Sequence, residues 1–189
     1  MTGQLPAEPV KLLVAALCTG PDALAESLEG LRARRGDIDH QGPARPFKLT
    51  DYYEKEMGDG LERSILSFDP LASPDELVDF KHECVELEAS LAQSPGHRSV
   101  NLDPGYLDHG KLVLGSLKPA GQKIYLARGV YADLVGRYGQ ERYRFPFAGG
   151  CTAVMAPDLF PFIQSGQMVG MIGGLAGAAE YESLVGQAD

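Results

Sequence analysis

Apolar and polar residues fall into short blocks along the first half of the chain, and each block predicts one element. The run VKLLVAALC (10–18) is apolar almost throughout, which is typical of a buried strand. Leucines then recur at helical spacing over residues 24–31, between Pro21, which suits a first helical turn, and Gly36, which ends the helix. The chain therefore begins with a strand and an amphipathic helix.

The next blocks predict two extended segments. ARPFKLTDYY (44–53) has the composition of a strand, although Pro46 weakens that prediction. ERSILSFDP (62–70) predicts a strand with Ile65 and Leu66 inside, ending at the dipeptide 69–70.

A second helix is predicted over SPDELVDFKHECVELEASLA (73–92). Ser73 is placed to cap it, Pro74 suits its first turn, and Glu76 completes a capping box. Its apolar stripe consists of Leu77, Phe80, Cys84, Leu87 and Leu91. The strand SVNLD follows, so the element order is β-α-β-β-α-β.

This order predicts an α+β fold of the ferredoxin-like, split β-α-β kind, an antiparallel sheet with both helices on one face. A C-terminal hairpin extends the sheet. We expect residues 1–147 to form this domain and residues 148–189 to form a glycine-rich tail that is partly helical or loosely packed.

Polar side chains gather where the strand SVNLD ends. Asn101 and Asp103 point to the same face of that strand, and Pro104-Gly105 suits a type II turn directly after it. Asp103 is then the residue that caps the turn, or a cation ligand together with the Asn101 amide oxygen, or a general base oriented by its partner.

The segment TDYYEKEMGDGLE (50–62) is a second candidate, because it groups five acidic residues around Tyr52 and Tyr53. It is equally consistent with a solvated acidic loop and with a site for a cation or a hydroxylated ligand. Asp51 and Glu56 are its candidate binding residues.

GKLVLGS (110–116) predicts either a short helix or a strand, and a hairpin follows over 122–138. A three-residue loop, 127–129, would pair Leu126 with Val130, Tyr125 with Tyr131 and Lys123 with Asp133. One hairpin face would then be apolar, with Ile124 and Leu126, and the other would carry the lysine, both tyrosines and the aspartate.

Charge and composition narrow the classes of function. The net charge of −9 and pI near 4.9 argue against nucleic acid as a partner. Three separated cysteines form neither a disulfide framework nor a zinc motif, and no P-loop, G-x-S-x-G or G-x-G-x-x-G motif follows a predicted strand. The N-terminus lacks the pattern of a secretory signal, so we expect a cytoplasmic protein.

Three ordered motifs, DYYEKEMG, NLDPGYL followed by KLVL, and KIYLARGVYAD, resemble the domain of unknown function 4416 family of small bacterial and archaeal proteins. The resemblance covers about residues 11–138 and supplies positions but no activity. The shared polar positions are Asp51, Tyr52, Tyr53, Glu56, Asn101, Asp103, Tyr106, Lys111, Tyr125 and Tyr131. Asp133 stands where the resemblance leads us to expect Glu.

The tail resembles the C-terminal end of a different bacterial family, which implies a fusion. Residues 159–179 carry no charge, so a membrane span and a flexible loop are both alternatives. Proline, glutamines and five glycines argue against the span, and we do not expect a membrane partner. Exposed Met and Phe of the tail would favour self-association.

Two functions are consistent with these residues. The first is a soluble module that binds a small molecule or a protein through a face rich in tyrosine and carboxylate. The alternative is a small enzyme, a hydrolase or transferase acting on a phosphorylated or polyhydroxylated metabolite with a divalent cation as cofactor, in which Asp51 and Asp103 bind the metal or act as base. Lys111 or Lys123 would be the electrostatic partner. If Asp51, Asn101, Asp103 and a lysine converge in one concave pocket, the enzyme is favoured, whereas a flat spread of these residues favours the module.

Overall fold

A computed structural model describes residues 6–48, 50–94, 96–119, 121–139 and 142–144. Its helices are α1 (Pro21–Arg35), α2 (Glu54–Met57) and α3 (Leu77–Ser90), the last preceded by a 3₁₀ turn over Pro74–Glu76. Its strands are β1 (Val10–Cys18), β2 (Ile38–Gln41), β3 (Arg45–Pro46), β4 (Glu62–Ala72), β5 (Val100–Leu107), β6 (Lys111–Ser116), β7 (Ile124–Ala127), β8 (Val130–Gly139) and β9 (Arg142–Arg144). The tail over 148–189 lies outside the described residues.

The described strands form one antiparallel sheet in the order β2-β4-β1-β5-β6-β8-β7. β3 also pairs with β4, and β9 pairs with β8. The α+β class and the antiparallel sheet are therefore confirmed. β1 is central and every one of its nine residues is buried, as its apolar sequence predicts.

Both long helices pack on the same face of the sheet. The leucines of α1 share one core with Phe80, Cys84 and Leu87 of α3 and with residues of β1, β4 and β5. In this core the rings of Phe68 and Phe80 meet edge to face, with their centres 5.6 Å apart. Gly36 ends α1 as predicted, at a positive φ of 86°. The predicted capping box of Ser73 and Glu76 forms at the start of the 3₁₀ turn.

Arg35, at the end of α1, joins the two helices. Its guanidinium donates to Glu83 at 2.7 and 2.8 Å and to Glu76 at 2.8 Å, and it lies over the Phe80 ring at 4.8 Å. The paired geometry with Glu83 fixes the angle of approach of both helices, because two parallel hydrogen bonds leave the guanidinium little freedom.

The segment over 44–53 differs from its prediction. Only Arg45–Pro46 is a strand, and β2 forms earlier, at Ile38–Gln41. Phe47 follows β3, donates its backbone N–H to the Leu61 carbonyl oxygen at 2.7 Å, and packs with Leu17, Met57 and Leu61 in a small apolar cluster.

β4 continues to Ala72, so the predicted end at 69–70 is wrong. Pairing with β1 extends to Val10 opposite Ala72, with an irregularity in the register that accommodates Pro70. The prediction that Ile65 and Leu66 are inside is confirmed.

The predicted turn at Pro104-Gly105 is also wrong, because β5 runs through both residues to Leu107. Gly105 lies between β1 and β6, opposite Leu13 and Leu114. A Cβ on Gly105 would collide with the Val113 carbonyl oxygen and would lie 2.6 Å from the Leu114 side chain. The glycine therefore allows a close strand contact and not a positive φ.

The ambiguous segment 110–116 is a strand, and the hairpin after it has a tighter turn than predicted. Ala127 pairs with Val130, so the loop is Arg128-Gly129, with φ of 49° and 78° that suit a type I′ turn. Leu126 forms a bulge and does not pair with Val130. The pairing of Tyr125 with Tyr131 is confirmed.

Candidate functional site

A cleft opens where β5 and β6 stop pairing. The ladder joins the two strands only from Gly105 to Leu107, although β6 continues to Ser116. Alternate residues of a strand direct their N–H and C=O groups to the same edge, and Leu102 and Pro104 share the edge that faces β6. Proline has no N–H to donate there, so the ladder ends and the strands separate.

Two side chains of α3 bond to the open edge of β5. Glu88 Oε1 accepts a hydrogen bond from the Leu102 backbone N–H at 2.6 Å. Lys81 Nζ donates to the Leu102 carbonyl oxygen at 3.1 Å. The two residues are seven positions apart, which places them on one helix face two turns from each other. Both are buried, and together they satisfy both polar groups of Leu102.

From Lys81 and Glu88 a polar network crosses the floor of the cleft. Lys81 Nζ lies 3.2 Å from Asp103 Oδ1, and Asn101 Nδ2 donates to Asp103 Oδ2 at 2.9 Å. Arg98 donates to Asn101 Oδ1 at 2.9 Å and to Glu88 Oε2 at 3.1 Å. The Asn101 amide thus connects a cation on one side to a carboxylate on the other.

The same guanidinium fixes the wall opposite α3. Arg98 Nη2 donates to Glu56 Oε2 at 2.6 Å, and the Arg98 backbone N–H donates to the Glu56 carbonyl oxygen at 3.1 Å. α2 is only one turn long, so these two contacts hold it against the loop after α3. They also hold Tyr52 and Tyr53, which precede α2, at the mouth of the cleft.

The environment sets the protonation of the buried pair. Burial alone would lower the pKa of the Lys81 ammonium, but the charges of Asp103 and Glu88 outweigh it and raise that pKa above its usual value. Burial raises the pKa of the Glu88 carboxyl, against the opposing effects of the Leu102 N–H, Lys81 and Arg98. The raised pKa favours the protonated form of Lys81, which suits an electrostatic role better than that of an amine nucleophile.

The rim of the cleft is formed by the loop that joins β6 to β7. Lys123 Nζ donates to Ser116 Oγ at 2.8 Å and lies 3.5 Å from the buried carboxylate of Asp133. Lys118 Nζ donates to the Tyr52 hydroxyl at 2.8 Å and lies 4.7 Å from the centre of its ring.

The cleft has a volume of about 980 Å³, which is enough for a small metabolite. Its charged lining consists of four cations and three carboxylates: Lys81, Arg98, Lys118, Lys123, Glu56, Glu88 and Asp103. The chain as a whole carries a net charge of −9, so the cleft differs in sign from the rest of the molecule.

Half of the residues predicted for the site line this cleft. They are Tyr52, Tyr53, Glu56, Asn101, Asp103 and Lys123. Asp133 lies just behind them, where it forms an ion pair with Lys123 at 3.5 Å and accepts a hydrogen bond from Gln122 Nε2 at 3.2 Å.

The other predicted residues lie elsewhere. Asp51 lines a second, smaller pocket with Phe47 and Glu54. Lys111 and Tyr106 meet at the opposite end of β6, with the ammonium 5.9 Å from the ring centre. Tyr125 and Tyr131 contact each other on the hairpin, with ring centres 5.3 Å apart.

Sequence reasoning missed Lys81, Glu88, Arg98, Ser116 and Lys118. The sequence of α3 does carry a signal for Lys81 and Glu88. Lys81 follows Leu77 by four positions and Glu88 follows Cys84 by four, so both fall within the apolar stripe of α3. A charged residue within such a stripe indicates a buried partner.

The described ranges contain no preformed site for a divalent cation. Asp51 and Asp103 line different pockets, and the described residues include no group of three or more His, Cys, Asp or Glu side chains placed to hold a metal ion. Within the same ranges, no helix has both the length and the apolar character needed to cross a membrane.

Comparison with known protein families identifies a match. The sequence matches the family described as Domain of unknown function (DUF4416) over residues 8–147, a range that includes the whole network of the cleft. No curated protein and no solved structure matches the chain.

Proposed function

The chain belongs to the DUF4416 family, and we propose that it is a binding module for a small polar molecule, which enters the cleft between β5, β6 and α3. The observation that carries this proposal is the convergence of Asn101, Asp103 and Lys123 with three further cations in one concave site. A protein partner is less well supported, because a flat face and not a cleft is typical of such an interface.

The network on the floor gives the cleft a preformed polar surface. Lys81 and Asn101 each use one contact to hold one oxygen of the Asp103 carboxylate, and that side chain remains 25% exposed. A carboxylate oxygen accepts more than one hydrogen bond, so Asp103 retains acceptor capacity toward a ligand. Its orientation requires no rearrangement on binding, which reduces the entropic cost of association.

The alternative, a cation-assisted enzyme, requires Asp51 beside Asp103, and these residues line separate pockets. The three carboxylates of the cleft each contact Lys81 or Arg98. A metal ion would have to displace those cations, so the geometry favours the binding module.

We also infer a ferredoxin-like arrangement for the first part of the sheet. It is supported by the strand order, in which β4 lies between β1 and β2, the strands that α1 joins. Likewise β1 lies between β4 and β5, the strands that α3 joins. Such a split β-α-β pair covers one sheet face with both helices.

A thermal-shift screen tests the binding function. Wild type, Asp103→Asn and the control Asp79→Asn, an exposed aspartate on the outer part of α3, are melted with a library of sugars, sugar phosphates, nucleotides, amino acids and divalent cations. A ligand that binds only the folded state raises the melting temperature by mass action. We expect at least one class to stabilise wild type and Asp79→Asn but not Asp103→Asn. If every class leaves wild type unchanged, or if the same shift persists in Asp103→Asn, the proposal is wrong.

A further inference from the structure

We propose that the ligand is a phosphorylated molecule, and that the phosphate binds at the rim of the cleft among Ser116, Lys118, Lys123 and the Tyr52 hydroxyl. This inference rests on the proposed function and specifies the class of its ligand. The remainder of the ligand extends inward, where Asp103 accepts hydrogen bonds from its hydroxyl groups.

The distribution of charge supports a phosphate at the rim and not on the floor. On the floor, Lys81 is paired with Asp103, and Arg98 is paired with Glu88 and Glu56. These opposite charges compensate one another. An anion placed there would have to compete with carboxylates that already contact the cations.

The rim is compensated only in part. Lys123 forms an ion pair with Asp133 at 3.5 Å, and both side chains are largely buried. The Lys118 ammonium contacts a neutral phenol, and in the described part of the chain no carboxylate lies within ion-pair distance of it. Positive charge is therefore in excess where the cleft opens to solvent.

The donors at the rim match the acceptor oxygens of a phosphate. Lys118 and Lys123 supply ammonium protons, which suit a compact anion that accepts from several directions. The Tyr52 hydroxyl accepts from Lys118, so its own O–H proton remains to donate. The Lys118 backbone N–H contacts Ser116 Oγ at 3.2 Å, which fixes this serine between the two lysines.

The floor then recognises the rest of the molecule. Asp103 is a carboxylate acceptor held by Lys81 and Asn101, and acceptors of this kind bind the hydroxyl groups of polyols. A sugar phosphate combines both requirements, an anion at one end and hydroxyl donors at the other. The rings of Tyr52 and Tyr53 supply the apolar surface of the adjoining wall. Their centres are 5.1 Å apart and their planes are nearly perpendicular.

The test is an NMR titration of the full-length ¹⁵N-labelled chain with inorganic phosphate, at an ionic strength held constant with sodium chloride. Wild type is compared with Lys118→Gln and with the control Lys48→Gln, which removes the same charge from an exposed lysine outside the cleft. We expect saturable shifts of the amides of Ser116, Lys118 and Lys123 in wild type and in the control. Loss of one charge-assisted hydrogen bond should weaken binding about tenfold in Lys118→Gln.

Three results would overturn the inference. Phosphate fails to saturate wild type, or it shifts amides outside the rim, or Lys118→Gln binds it as tightly as wild type does. A parallel titration with acetate tests whether the site selects phosphate over another anion. Equal affinity for acetate and phosphate would contradict a phosphate site. Binding of glucose that is lost in Asp103→Asn, without any binding of phosphate, would refute this inference and leave the proposed function standing.

Discussion

Glu88 accepts a hydrogen bond at 2.6 Å from the backbone N–H of Leu102, at the position where a neighbouring strand would otherwise supply the acceptor. The helix therefore completes the sheet edge at the point where Pro104 ends the ladder to β6. This one contact links fold and site, because the gap between β5 and β6 is the cleft, and Glu88 is part of its floor.

Removal of the Glu88 side chain should destabilise the protein strongly. Glu88→Ala leaves the Leu102 N–H without its acceptor and removes the buried partner of Arg98, a combination that costs about 3 kcal/mol. The free energy of unfolding is measured by urea titration. Glu86→Ala, on the exposed side of the same helix, is the matched control and should stay within about 0.5 kcal/mol of wild type. Equal effects of the two variants would show that the Leu102 contact contributes nothing.

The same residue should give the stability a specific pH dependence. Burial raises the pKa of the Glu88 carboxyl above its ordinary 4.5, so the folded state retains this proton over a range of pH in which the unfolded chain has released it. As the pH rises through that range, wild type should lose stability relative to Glu88→Gln, which has no proton to release. Above the folded pKa the difference should be constant. Urea unfolding of both proteins from pH 4.5 to neutral measures the difference, and a gain in the stability of wild type relative to Glu88→Gln as the pH rises would contradict the raised pKa.

The first half of the fold was predictable because its signals are local. The buried run 10–18, the leucines of α1 and the capping box at Ser73 each depend on residues close in sequence, and each is confirmed. That Asn101 and Asp103 share one strand face also follows from strand alternation alone. Both line the cleft, and their neighbours Val100 and Leu102 are buried on the opposite side.

The rest depends on contacts between distant residues. Pro104-Gly105 has the sequence of a turn, and only the close approach of Val113 and Leu114 shows why a glycine is required inside a strand. Lys81 and Asp103 are separated by 22 positions, and no local pattern places that cation beside that carboxylate. The bulge at Leu126 likewise arises from the pairing of the whole hairpin and not from its turn residues.

Arg98 should be coupled unequally to its two carboxylates. Its partner Glu88 is buried, whereas Glu56 is about half exposed and is screened by water. In double-mutant cycles with Arg98→Ala, the coupling to Glu88→Ala should exceed about 1.5 kcal/mol, and the coupling to Glu56→Ala should be about 0.5 kcal/mol. Urea unfolding of the single and double variants supplies both values. Two coupling energies of the same size would mean that the Arg98–Glu56 contact is shielded from water as well as the Arg98–Glu88 contact is.

Gly105 should be among the least replaceable glycines of the described chain. In Gly105→Ala the new methyl group meets the Val113 carbonyl oxygen, a backbone atom that cannot move without disrupting the β5–β6 ladder. We expect a loss of about 3 kcal/mol, as for other overpacked sites, together with displacement of the Asp103 and Asn101 side chains that precede it. Gly110→Ala is the matched control, because its nearest neighbour would be Asp108 Oδ1 at 3.7 Å, an ordinary contact. The melting temperatures of both variants measure the cost. A Gly105→Ala protein as stable as Gly110→Ala would mean that the strands can separate further, and the cleft would then not be rigidly defined by this ladder.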